Sequence, residues 1–510
     1  MKYGMISTGS KEASEAALEI LKCGGNAFDA SIAAVTTSMT SEVNLTSMAG
    51  GGALLAYVKG NQPILFDFFV DAPSPKPDRN IEFYRKDVDF GDSKQSFHVG
   101  KGSVAVPGNI KGLFEVHNSL GKIPIKEVLS PAISAAKNGV KITESQGYIT
   151  SLLIEILKLT PESKKLYFDN SRLMSAGDIF KNLEFAEILE WFCEDGYKPF
   201  YEGEIAKKMI DYLGQDSLLS MEDLNNYSVA KRTPLQTSAF GKRLFTNPSP
   251  SVGGLLICFF LNLLERSRGN NQITPDLIVK LMAIVSRARF DLYKNPDDEY
   301  QLDPLLSEQF LSEYGLMIDN LAINKVLDFN SDGLGSTTHV SIIDKDGNAA
   351  SVTTTNGEGC GHILPGTGIM LNNMLGEEDL NPLGFHNWSK IRRMPTLISP
   401  SMVIDENGFP DLVIGSGGSN RIRSALIQVL IYLYDKSLSL SESVSSPRLH
   451  LEKSELYVEP GLKIDSNFYN KAGINVNNFK ENNLFFGGVN AVSMAEAVGD
   501  KRRGGWSISE

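Results

Sequence analysis

The chain has 510 residues, 42% hydrophobic and 22% charged, with a formal net charge of −12. This is an ordinary balance for a soluble globular enzyme, with enough chain for a large core and, from length alone, about three domains. The acidic balance argues against nucleic acid or an anionic membrane as partner, because both demand a basic footprint.

The N-terminal stretch MKYGMISTGSKEASEAALEIL leads directly into a helical pattern. It has neither an apolar signal core nor a small-residue cleavage site, so a cytoplasmic location is expected. Ser10 to Lys22 reads as an amphipathic helix with Ala16, Ala17, Ile20 and Leu21 on one face, ended by Gly24-Gly25-Asn26. A second helix, rich in small residues, follows from Ala27 to about Ser38. Ala49-Gly50-Gly51-Gly52 then precedes ALLAYV, a strand signal, and APSPKPD at 72 to 78 reads as a proline-rich loop. From about 110 to 330 the pattern is mainly helical, with LSPAISAAKNGV, SLLIEILKL, FAEILEWFCEDGY and IVKLMAIVSRARFDLY. Asn247 to Gly254, NPSPSVGG, interrupts it as a turn-rich entry to another helix. The most apolar stretch, Gly253 to Glu265, is too short to span a bilayer. From Thr337 short strands take over (HVSII, AASVTTT, GIMLNN, PSMVI, DLVIG), with the helix RIRSALIQVLIYLYD among them. The helix-rich and strand-rich parts form either one interleaved αββα body or two domains. The four cysteines, Cys23, Cys193, Cys258 and Cys360, and the six histidines show no metal-ligand spacing. Neither a structural zinc site nor a disulfide framework is expected.

The strands Val340 to Ile343 and Ala349 to Thr355 flank Asp344-Lys345-Asp346-Gly347-Asn348, a strong turn signal. A five-residue loop puts Thr337 opposite Thr355; a tighter Asp346-Gly347 turn puts it opposite Asn356. Either register sets a hydroxyl or amide beside Thr337, and the period of two places Thr353 and Thr355 on one face. Threonine favours strands in its own right. A hydroxyl nucleophile can also be activated by its own N-terminal amine, which requires the chain to be cut in front of it. Gly333-Leu334-Gly335-Ser336 is a flexible lead-in directly before that strand.

In order along the chain, EILKCGGNAFDASIAA, SMAGGGALLAYV, SVAVPGNIKGL, PSPSVGG, TTHVSIIDKDGNAASVTTT, GTGIMLNN and GSGGSNRI resemble the gamma-glutamyltransferase (gamma-glutamyltranspeptidase) family of N-terminal-nucleophile hydrolases. The resemblance covers nearly the whole chain. It implies an α+β fold, the four-layer αββα sandwich of that class. It implies a proenzyme that cuts itself between Ser336 and Thr337 into a large subunit, 1–336, and a small subunit, 337–510, interleaved in one body. Thr337 Oγ1 would be the nucleophile, its α-amine the base, Thr355 the residue that orients it, and the Gly418 and Ser419 amides the oxyanion hole. The implied activity is hydrolysis or transfer of gamma-glutamyl groups, as in glutathione hydrolase, to water or an amine acceptor, with no metal or organic cofactor. The residues of GSGGSNRIRSAL agree, since a glycine-rich turn opens a helix whose N-terminus favours an anion. A phosphate loop would need a lysine that is absent there.

The substrate clamp departs from the family pattern. Phe69 stands where the family's carboxylate-binding arginine is expected, and an aromatic ring cannot pair with a carboxylate. The family's two adjacent serines fall at Thr396 and Leu397, leaving one hydroxyl. The amine-binding aspartate becomes Glu377, and Asn356 matches the family asparagine with a shift of one. Arg393 or Arg421 could replace the missing arginine, or serve only in salt bridges. The alternatives are therefore an acylase acting on a different amide and a catalytically silent ligand-binding homologue. For His339 a buried ring bonded to backbone is expected. Cys360 and His362 allow a Cys-His nucleophile pair, Glu377-Glu378-Asp379 a metal site, solvated charges or amine recognition, and Gly50 to Gly52 close packing near the pocket.

Overall fold

The computed structural model describes residues 2–76, 79–89, 94–269, 272–292, 303–320, 336–388 and 392–510. The lead-in Gly333-Leu334-Gly335 and positions 77 and 78 of the proline-rich loop lie outside the described residues.

Strand β1, Gly4–Thr8, comes first, where the sequence pattern suggested direct entry into a helix. All its residues are buried, so neither face is polar and no period of two marks it. Ser10 then caps helix α1, Lys11–Lys22, by accepting from the Ala13 N–H. Asn26 and Asp29 form a capping box that opens α2, Ala27–Ser41, whose residues are all buried. Its alanines and serines let it lie between α1 and α3, Ile125–Asn138, and under the first sheet.

The next strands are β2, Gly51–Tyr57, and β3, Ile64–Phe68. Three short strands then lie in the stretch that reads as mainly helical: β4, Ala230–Arg232, β5, Leu235–Ala239, and β6, Lys242–Thr246. Helix α4, Val252–Arg268, follows them. After Ser336 come β7, Thr337–Asp344, and β8, Ala349–Thr355, then β9, Ser401–Ile404, and β10, Pro410–Gly417. Helix α5, Arg421–Leu430, precedes β11, Gly488–Val492, β12, Ala497–Gly499, and β13, Trp506–Ser509.

These strands build two antiparallel sheets. One has seven strands in the order β4-β3-β2-β8-β7-β1-β13, the other six in the order β5-β6-β9-β10-β11-β12. Strands from before and after Ser336 share both sheets, and in the first β7 and β8 lie between β2 and β1 from the earlier part of the chain. Helices α1 and α2 cover the outer face of the first sheet, α4 and α5 that of the second, and β7 and β8 pack face to face on β10. The molecule is thus a four-layer αββα sandwich, as the resemblance implies. Among the described residues, no helix is long and apolar enough to cross a membrane, and no group of His, Cys, Asp and Glu is placed to hold a metal ion.

The hairpin takes the five-residue loop, with Thr337 opposite Thr355 and Ile343 opposite Ala349. The reason is local. Asp344 accepts from the Asp346 and Asn348 N–H groups at 2.9 Å each, and Gly347 supplies φ +86°. Between the sheets the packing is polar. The His339 ring bridges Thr353 Oγ1 at 2.8 Å and Ser341 Oγ at 2.9 Å, filling space left by Gly415, where a Cβ would lie 2.2 Å from the ring. Its partners are hydroxyls, not the backbone groups expected. Asn490 Nδ2 donates to the His339 carbonyl, and Ser351 Oγ to the Ile414 carbonyl, tying β7 and β8 to the second sheet. On the opposite face Thr338 donates to buried Glu42 at 2.6 Å, and Thr46 and Thr354 share a hydrogen bond. Both faces of the hairpin are therefore locked by directional contacts.

Candidate active site

Thr337 starts β7, buried, with Ser336 joined in front of it. Its carbonyl lies against Gly417, where a Cβ would come within 2.1 Å. Across the hairpin, Gly50 gives Thr355 the same close approach, a Cβ there lying 2.1 Å from the Thr355 carbonyl oxygen. A Cβ on Gly51 or Gly52 would lie 2.7 Å from the Val70 nitrogen or 2.6 Å from the Thr353 carbonyl oxygen, so the triple glycine is a close-packing element. Thr355 Oγ1 accepts the Gly357 N–H at 3.1 Å and donates to the carbonyl oxygen of Ser336. Its lone pair is used by the backbone, so its proton points at the one carbonyl that precedes Thr337.

Ser336 is held a second time. Its N–H donates to Glu358 Oε1 at 3.0 Å and its hydroxyl to Glu358 Oε2 at 2.5 Å. Glu358 sits in the loop after β8 between Gly357 (φ +59°) and Gly359 (φ +77°), conformations that turn its buried side chain back toward the hairpin. Burial pushes its carboxyl up to about 7, although Ser336, Arg503 and Arg421 all favour the charged form. Glu377 is buried beside it. Burial first, then the charges of Glu358 and Asp379, hold that carboxyl well above the usual range. Glu377 Oε1 and Asn356 Oδ1 are both buried without a hydrogen-bond partner among the described residues. A Cβ on Gly357, next to Asn356 in the chain, would lie 2.1 Å from Glu377 Oε1. The pair is a set of acceptors in need of a donor.

The turn from Gly417 to Asn420 closes the site from the second sheet. Gly418 has φ +123° and Ser419 φ +48°, a sharp reversal into α5. Asp379 fixes it, accepting from Ser419 Oγ at 2.8 Å and from Asn420 Nδ2 at 3.0 Å, while Arg289 binds Asn420 Oδ1 at 2.8 Å. Glu377 and Asp379 are thus buried and not solvated loop charges; Glu378 alone of that run is exposed. Arg503, in the last turn before β13, lies against the same reversal. A Cβ on Gly418 would be 3.1 Å from its Nη2, and burial, with Arg421 nearby, brings its guanidinium down to about 10.

Other sequence candidates fall elsewhere. Phe69 is buried in the main hydrophobic cluster, its carbonyl accepting from Tyr227 at 2.7 Å. Leu397 is in the same cluster. Thr396 is buried, with Oγ1 accepting the Ile398 N–H and its carbonyl receiving Val252 N–H at the start of α4. Neither arginine proposed for the carboxylate is available. Arg393 pairs with Asp71 at 2.7 Å and Asp67 at 2.8 Å and donates to two backbone carbonyls. Arg421 is buried over the Phe485 ring with Glu452 at 3.5 Å. No Cys-His pair forms. Cys360 Sγ faces the His362 carbonyl, burial raises its thiol to about 12, and the His362 ring is taken by Tyr212 and Glu82.

Sequence reasoning missed Glu358, Asp379 in its bracing role, and Arg503. Glu358 had a local signal, a lone acid in the glycine-rich NGEGCGH. Arg503 had none, since only the return of β13 beside β1 brings the C-terminal turn here.

A gamma-glutamyltranspeptidase family model matches residues 13–508. The chain is 29% identical over 482 residues to the glutathione hydrolase proenzyme of Pseudomonas aeruginosa, covering 89% of this chain and 85% of that one. It is 27% identical over 476 residues to the acylase ACY 1 proenzyme of Pseudomonas sp. strain SE83, covering 90% and 84%. Among solved structures, the cephalosporin acylase from Bacillus halodurans superposes with a TM-score of 0.82 at 22% identity, over 99% of this chain and 96% of that one. Since the match extends from α1 past the hairpin and the turn into α5 to the last strand, the chain is an enzyme of the gamma-glutamyltranspeptidase family.

Proposed function

We propose that the chain cuts itself between Ser336 and Thr337 and then works as an amidohydrolase or acyltransferase through an acyl-Thr337 ester. The observation that carries this is the hydrogen bond from Thr355 Oγ1 to the Ser336 carbonyl, the bond that must be polarised for the cut. Thr337 Oγ1 adds to the Ser336 carbonyl carbon, the C–N bond breaks, and the hydroxyl proton ends on the Thr337 nitrogen. Water then adds to the resulting ester, Oγ1 leaves with a proton, and Ser336 ends the large subunit (1–336) as a carboxylate. The small subunit (337–510) begins with a free amine. In turnover that amine takes the Oγ1 proton, Oγ1 attacks the substrate amide, and the protonated amine product departs. The Gly418 and Ser419 amides, with Arg503 behind them, meet the developing oxyanion. Water or an amine acceptor then takes the acyl group.

Denatured intact mass tests this. Wild type is expected to give two fragments meeting at Ser336 and Thr337, and Thr337→Ala one uncut chain without turnover. A wild type that stays whole after prolonged incubation would sink the reading.

The acyl group is, in the first reading, gamma-glutamyl, with Glu377 and Asn356 accepting from its ammonium through their unpartnered oxygens. A second reading, an acylase on a different amide, is favoured by Phe69 in the core and Arg393 spent on Asp67 and Asp71, which leave neither to grip an α-carboxylate. Hydrolysis of a gamma-glutamyl anilide against plain acyl anilides separates them. Strong gamma-glutamyl selectivity supports the first, and comparable or faster plain-acyl hydrolysis supports the second.

A further inference from the structure

Glu358 is a buried carboxyl with both of its oxygens committed to Ser336, the residue before the proposed cut. A carboxyl this deep is costly unless hydrogen-bonded, and Ser336 supplies donors to each oxygen. The loop that carries it is itself fixed, because Glu358 N–H donates to Asn373 Oδ1 at 2.8 Å. The charged groups facing the carboxyl are Glu377 from the following loop, Arg421 from α5 and Arg503 from the C-terminal turn. Both arginines favour its charged form, and both of its oxygens accept from Ser336.

The geometry has a direct consequence for self-cleavage. A peptide carbonyl that is to be attacked by the next residue's hydroxyl must be held against rotation about the bonds on both its sides. Thr337 is fixed by β7 and its pairing with Thr355. The Ser336 oxygen is fixed by Thr355. Among the described residues, Glu358 alone fixes the Ser336 nitrogen and side chain, on the far side of the scissile carbonyl. We propose that Glu358 is a positioning residue for the cut, a two-point clamp on Ser336 that holds the scissile carbonyl in line with Thr337 Oγ1. The inference rests on the self-cleaving reading above. Glu358 exchanges no proton with the reacting atoms in this role. A glutamine can keep both contacts, its oxygen accepting the Ser336 N–H and its amide donating to the Ser336 hydroxyl.

The test is a time course of denatured intact mass on full-length chains purified before cutting is complete. Glu358→Gln is expected to cut within about threefold of wild type and Glu358→Ala at least about tenfold slower, the loss associated with a misplaced reacting group. Ser336→Ala removes one donor from the other side of the clamp and leaves Glu358 in place. It is expected to slow the wild type several-fold and to add nothing to Glu358→Ala, because both remove the same contact. A merely structural Glu358 would lower the melting temperature yet leave the Ser336→Ala effect additive, and that additivity overturns the clamp. So does a Glu358→Ala chain that cuts at the wild-type rate. A wild type that never cuts overturns the self-cleaving reading and the clamp with it, whereas a cutting wild type beside an equally fast Glu358→Ala overturns the clamp alone.

Discussion

Thr355→Val is expected to slow self-cleavage by about a hundredfold or more, while Thr355→Ser stays within about tenfold of wild type. Valine keeps the branched shape that β8 packs around, so the substitution removes the hydroxyl and little else. The hydroxyl does two things at once, taking the Gly357 N–H and giving its proton to the Ser336 carbonyl. The first contact orients the second. Removing a donor aimed at a developing oxyanion costs ~3–4 kcal/mol in the barrier in enzymes where it has been isolated, which sets the hundredfold scale. The valine variant also strands the Gly357 N–H, a loss of ~1–3 kcal/mol in folding, so its melting temperature must be read beside its cutting rate. A fully folded valine variant that cuts as fast as wild type would remove Thr355 from the chemistry and leave it the pairing partner of Thr337 only.

How much of this was legible in the sequence depends on how far apart the parts lie along the chain. The hairpin is local, and its turn residues, its alternation and the facing of Thr337 and Thr355 could all be read, with one ambiguity that Asp344 resolves by capping the longer loop. Helices α1 and α2 announced themselves through Ser10, Asn26 and their small residues. Strands β1, β4, β5 and β6 did not, because β1 is buried throughout and shows no alternation, while β4 to β6 are short and set among helices. The site residues divide in the same way. Thr337 and Thr355 lie on one hairpin and Gly418 and Ser419 on one short turn, so each pair could be read from contiguous sequence. Arg393 could be read as a salt-bridge residue but not given its partners, because Asp67 and Asp71 lie in the distant stretch around Phe69, brought beside it by the bridge between Asp71 and Arg393. Glu358 could not be given a role from sequence, since its partner is a residue whose own position depends on the hairpin being closed.

His339 carries a large expected effect of pH on stability. Its ring is fully buried between the sheets, and burial holds its pKa at about 3 against an ordinary 6.5. The unfolded chain binds a proton below pH 6.5 that folded His339 refuses, so stability is lost as pH falls from 6.5 to about 3. At about 1.4 kcal/mol per pH unit the whole window is worth about 5 kcal/mol. Glu358 acts in the opposite sense. Folded, it keeps its proton up to about 7; unfolded, it releases it near 4.5, so its share of stability falls as pH rises between those values, by about 3 kcal/mol. From pH 4.5 to 6.5 the two groups cancel proton for proton, and below 4.5 only His339 is left. The comparison that isolates it is His339→Asn against its parent, both in the uncut Thr337→Ala chain so that one polypeptide is measured throughout. Asparagine does not titrate, and whatever it costs in packing against Gly415 is the same at every pH. The stability gap between parent and variant, from urea unfolding, is therefore expected to shift by about 3 kcal/mol in favour of the variant between pH 7 and pH 4. A gap that stays constant would mean that the ring takes up its proton without leaving its place between Thr353 and Ser341. The strand that begins at Thr337 would then have to open to solvent on that side, and the polar contacts that lock the two sheets together would be weaker than their geometry implies.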